Sequence, residues 1–118
     1  MIKNILISLV ALLHVYFLVL EMFLWTKPTG LKVFAMTLEQ AESTAALAAN
    51  QGLYNGFLAA GLIWALFQPD AMFSKQIAIF FLGCVICAAL YGWYSVNIKI
   101  LFIQGVPAMV ALALTLLM

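Results

Sequence analysis

Apolar residues in this chain come in long unbroken runs, with polar ones between the runs or at isolated points inside them. Four runs, roughly 4–25, 48–67, 76–95 and 99–117, approach the about 20 residues that a bilayer crossing takes. The connectors "TKPTGLKVFAMTLEQAEST", "QPDAMFSK" and "VNIK" are short. Closely spaced spans with short connectors predict up-and-down packing. The expected fold is all-α: a membrane-embedded antiparallel four-helix bundle, forming one integral membrane domain over residues 1–118. No internal repeat or low-complexity linker divides it.

The first connector carries its own signals. "KPTG" predicts a turn. Thr37 and Gln40 match the T-x-x-Q capping box, so a helix should start near Leu38. Only glycines interrupt the pattern from there to Phe67. That helix would measure about 45 Å at 1.5 Å per residue, against roughly 30 Å of hydrocarbon. Its first turns, with Glu39, Gln40 and Glu42, should therefore reach headgroup level, where the acids also suit the positive end of the helix dipole.

Composition sharpens the class. Of 118 residues, 68% are hydrophobic and 8% charged, a balance that needs lipid as solvent. A net charge of +1 without a single arginine offers nucleic acid no basic patch. The N-terminal apolar run is too long for a signal-peptide core and lacks a small-x-small cleavage site, so it reads as a retained span. Lys27, Lys32 and Lys99 on one side against Lys3 and Lys75 on the other lean toward a cytoplasmic first connector.

Alternating spans place the end of span 1, the start of span 2, the end of span 3 and the start of span 4 in one leaflet. Every span brings polarity there. Glu21 and Tyr91 each lie about 6 Å inside their span ends, and Gln104 about 7–8 Å inside. Gln51 and Asn55 occupy the first buried turns of span 2. A shared polar layer is the expectation. Glu21 leads it, because an ionisable group within a span is costly and usually faces the bundle interior. His14, seven residues earlier, shares its helix face about 10 Å away, close enough to act through a bound group. Both are open to a plain packing role, with Glu21 accepting hydrogen bonds from Gln51, Asn55 or Tyr91.

Around Asn55, residues Ala48, Gly52, Gly56 and Ala60 are spaced by four, and "GLYNG" is a G-x-x-x-G. Such a stripe admits close helix approach. Gln51 and Asn55 lie beside it, and Asn50 and Tyr54 form a second pair. These side chains can serve as ligand contacts or as interhelical glue. Pro107, in "QGVPA", frees a carbonyl beside Gln104 at the level of the layer. Cys84 and Cys87 form a C-x-x-C in apolar surroundings, which raise a thiol pKa and argue against redox chemistry. No familiar metal-ligand spacing occurs, and no cofactor is implied.

"EMFLWTKPTGLKVF", "AANQGLYNGFLAAGL", "FFLGCV" and "QGVPA" together resemble the small bacterial membrane-protein family called domain of unknown function 1304. The resemblance covers almost the whole chain. It implies a multi-pass protein of the bacterial plasma membrane with four spans, and it brings no substrate or mechanism. Three functions follow as expectations. The first is binding or passage of a small molecule or ion, with Glu21 as the proton- or cation-responsive group; transport through so small a chain calls for a homodimer. The second is a membrane enzyme acting on a lipid or isoprenoid-like substrate, with Glu21 as acid or base assisted by His14 or Tyr91. The third is a structural subunit.

Overall fold

The computed structural model describes residues 1–118 and is wholly helical: α1 Ile2–Met22, α2 Pro28–Val33, α3 Leu38–Phe67, α4 Ala71–Ser95, α5 Ile98–Ile100 and α6 Val106–Leu117, with a π-helical segment, Leu101–Gly105, between the last two. Three stretches are long and apolar enough to cross a membrane: α1, α4 and Ile98–Leu117. They indicate a membrane protein. The 30-residue α3 has the length, but Asn50, Gln51 and Asn55 dilute its apolar character.

The helix limits follow from local chemistry. α1 stops three residues before its expected end, because the amides of Phe23 and Leu24 both turn back to Val19 O, at 3.0 and 3.1 Å. α4 starts five residues before its expected start. Asp70 caps it, its carboxylate accepting from Phe73 N at 2.9 Å. The start of α3 falls at the expected place. Gln40 N donates to Thr37 Oγ1 at 3.1 Å and Thr37 N to Gln40 Oε1 at 2.9 Å, so both arms of the capping box are made.

Packing divides the chain into two units, Met1–Leu13 with Leu58–Met118, and His14–Phe57. In the first, one buried cluster draws Ile7 and Val10 from α1, Leu62 from α3, Leu82 and Val85 from α4 and Ala108 from α6. The three-residue turn Gln68–Asp70 sends α4 back along α3. Ser74 Oγ donates to Ala65 O at 2.6 Å, and Trp64 meets Phe73 edge-on at 5.6 Å. Further along, Gly61 lies against the Phe81 ring. Gly92 then faces Ile100 and Gly105 faces Ala89, so the last helix retraces α4. Thr115, fully buried, donates its hydroxyl to Ala111 O at 2.7 Å within its own helix.

The second unit contains the connector. Pro28 opens α2, where its missing N–H costs nothing. The helix closes with Met36 N on Leu31 O at 3.1 Å and Ala35 N on Lys32 O at 3.3 Å. That is a Schellman closure, and Ala35 occupies its left-handed position with φ 50°. Left-handed backbone costs a residue with a Cβ about 1–2 kcal/mol. Part of that relief is offset by glycine's greater chain entropy, roughly 0.5–1 kcal/mol. Ala35→Gly should therefore stabilise the protein by about 0.5–1 kcal/mol, read as a higher SDS fraction at the unfolding midpoint in mixed micelles.

Candidate functional site

The second unit builds a polar contact on a glycine surface. Gly52 faces α1 so closely that a Cβ there would lie 2.7 Å from Met22 Cγ, 3.1 Å from Glu21 Cβ and 3.3 Å from the carbonyl oxygen of Leu18. A Cβ on Gly56 would lie 2.6 Å from Leu18 Cδ1. The two glycines leave no side chain to hold α1 away. Asn55, between them in sequence and 5% exposed, then donates its amide to Glu21 Oε1 at 2.5 Å.

Glu21 itself is only half-buried, so its carboxyl group is not sealed. Its one side-chain hydrogen bond within the chain is to this neutral amide. No lysine neutralises it; Lys27 and Lys32, the nearest in sequence, are both exposed. The arrangement is a half-buried carboxyl group with one fixed amide donor on one side.

Other residues expected at the site divide by placement. His14 is fully buried, with its ring edge-on to Phe17 at 5.6 Å. Asn50, Gln51 and Tyr54 are exposed on the adjoining flank of α3, so Gln51 does not join Asn55 against Glu21. Ala60 is exposed too; the buried position is Ala59. The reason is geometric. A strict spacing of four drifts about 40° per step on a helix with 3.6 residues per turn, and the buried row instead alternates fours and threes through Ala48, Gly52, Asn55 and Ala59.

In the first unit, Gln104 is buried within the π-helical segment, and Pro107 is half-buried just after it. Tyr91 is 68% exposed, with its ring tilted against Tyr94. Cys84 is half-buried and Cys87 exposed, and both are free thiols.

Two contacts below Glu21 had no strong sequence signal. Trp25 donates its indole N–H to Thr44 Oγ1 at 3.1 Å while packing on Phe34 at 4.8 Å. Gly30 is buried against the carbonyls of Leu24 and Trp25. The hint available was the pair of aromatics flanking "TKPTGLKV", Trp25 and Phe34, which fold back together once a turn is granted.

Comparison with known proteins gives a family. Residues 8–116 match the family described as "Protein of unknown function (DUF1304)". The chain is 41% identical over 106 residues to an "Uncharacterized protein YpaA" of Lactococcus lactis subsp. lactis (strain IL1403), a stretch that covers 88% of this chain and 87% of that one. No solved structure matches the chain.

Proposed function

We propose, for a chain that belongs to the DUF1304 family of proteins of unknown function, that it is a multi-pass protein of the bacterial plasma membrane that binds or passes a small cation or protonated solute at Glu21. The proposed frame is one integral domain, an antiparallel four-helix bundle in which α3 also crosses the bilayer. Three observations support it. α4 retraces α3 from Ser74 against Ala65 to Phe81 against Gly61. The last helix retraces α4 from Ile100 against Gly92. In the second unit, Leu18 meets Gly56, Met22 meets Gly52, and Trp25 meets Thr44, so α3 climbs as α1 descends. A helix that returns beside one span and enters the next through a three-residue turn has the path of a span.

The observation that carries the functional reading is the bond between Glu21 and Asn55. In a span, a carboxylate supported only by a neutral amide lacks a counter-charge, and intramembrane ionisable groups mark ion and proton paths. A cation or protonated solute supplies what the chain's own lysines do not. Asn55 fixes the carboxyl's orientation, and Gly52 and Gly56 bring the two helices near enough for the amide to reach.

Glu21→Gln tests this. It retains an acceptor oxygen for Asn55 and removes the charge. The wild-type protein in lipid nanodiscs should melt higher with added sodium, potassium or simple alkylammonium ions, and the variant should lose at least tenfold of that apparent affinity, about 1.4 kcal/mol. Its ion-free melting point and helical content should stay near wild type. Equal ion response in both proteins overturns the reading and leaves Glu21 a packing residue.

A further inference from the structure

The flank of α3 left open on this chain carries polarity that lipid cannot satisfy. Asn50 and Gln51 are exposed, and neither side chain has a hydrogen-bond partner within the chain. Tyr54 beside them is 55% exposed and Leu47 73%. At about 100° per residue these four span an arc of roughly 100° on one side of the helix. The two amides lie about 24–26 Å before Phe67 along the axis. Given that α3 is a span, as proposed above, that depth is within a hydrocarbon layer of roughly 30 Å.

We infer that a second copy of this chain covers that flank, α3 against α3, in a two-fold dimer. The occupant is chosen by chemistry. A primary amide carries two donors and an acceptor, so an Asn50–Gln51 pair is complementary to its own image across a two-fold axis. Each amide that one copy leaves open becomes the partner of the other's. An acyl chain offers neither donor nor acceptor. An isolated lysine or carboxylate from a different partner would satisfy one half of each amide and bring a charge that this flank, uncharged from Leu47 to Tyr54, does not answer. Leu47 and Tyr54 lie between the two amides on this arc and supply apolar contact there. Gln51 lies about 40° around the helix from Asn55, so the dimer would also close the open side of α3 next to the Glu21–Asn55 contact.

Single-cysteine variants on a Cys84→Ser, Cys87→Ser background test the dimer and the underlying reading separately. In native vesicles treated with copper–phenanthroline, Gln51→Cys should give a disulfide-linked dimer. Phe80→Cys, on an exposed face of α4, should not. Single-molecule photobleaching in lipid should show two copies per particle for wild type. It should show at least a tenfold weaker association for Asn50→Leu with Gln51→Leu, while helical content is kept. Wild type that stays monomeric across protein-to-lipid ratios, or a double variant that dimerises equally well, overturns the dimer. Rapid labelling of Gln51→Cys by a membrane-impermeant maleimide overturns the reading of α3 as a span. A cysteine shielded from that reagent that never cross-links leaves the span standing and overturns the dimer alone.

Discussion

Replacing Gly30 with alanine should collapse the connector between α1 and α3. The added Cβ would lie 2.0 Å from the carbonyl oxygen of Leu24, 2.8 Å from its carbonyl carbon and 2.9 Å from Trp25 O. All three neighbours are backbone, so no rotamer change relieves the clash. The first turn of α2 would have to lift off the segment after α1. The Trp25 ring would then lose its place between Phe34 and the Thr44 hydroxyl. Overpacking commonly costs about 1–3 kcal/mol, and this site belongs at or above the top of that range. Unfolding by SDS in mixed micelles gives the measure, with quenching of Trp25 fluorescence as a local report on a Trp64→Phe, Trp93→Phe background. Gly83 is the control. A Cβ there meets nothing within 4 Å, and alanine favours a helix interior by about 0.5–1 kcal/mol, so Gly83→Ala should be neutral or stabilising. If both substitutions behave alike, the close approach at Gly30 is wrong.

Gly52→Val should separate α1 from α3 and abolish the polar contact with it. The first Cβ already presses on Met22, on Glu21 Cβ and on the Leu18 carbonyl. Met22 can swing aside, but a backbone carbonyl and the root of Glu21 cannot, so a branched side chain must push the helices apart. Helix separation breaks the bond from Asn55 to Glu21, worth roughly 1 kcal/mol in membrane proteins, on top of the roughly 1–3 kcal/mol of overpacking. Gly56→Ala should be milder, because what it meets is the end of the Leu18 side chain. The expected order of midpoints is wild type, then Gly56→Ala, then Gly52→Val. Cation response should fall with Gly52→Val even where the protein remains helical. A Gly52→Val protein that melts and responds like wild type would remove the glycine surface from the site.

Much of this was legible before any coordinates. Span-length apolar runs marked α1, α4 and the last helix, because lipid imposes length and composition together. The Thr37–Gln40 box located the start of α3 because a cap is a local, stereochemically narrow event. Glu21 and Asn55 stood out as polarity in an apolar setting, and they meet. What escaped the sequence depends on rotation or on distant backbone. Gln51 and Asn55 look equivalent at a spacing of four, yet only a neighbour on one side decides which is buried. Ala60 failed for the same reason. Gly30 serves a contact with Leu24 and Trp25 that no period reveals. Ala35 carries a left-handed conformation that the sequence would sooner assign to glycine.

The π-helical segment has a consequence for how the last span is counted. Val106 N–H reaches back to Leu101 O, five residues rather than four, just before Pro107, which has no N–H to give. One residue is thus accommodated in excess, and adjacent Gln104 and Gly105 are both turned inward. Beyond it the buried face continues from Gln104 through Ala108, Ala111 and Thr115. Ile100 before the segment and Gly105 at its end both lie on α4, so the span takes up an extra residue without turning away from its neighbour, and a chain one residue shorter between Asn97 and Pro107 would close the same stretch as an unbroken α-helix.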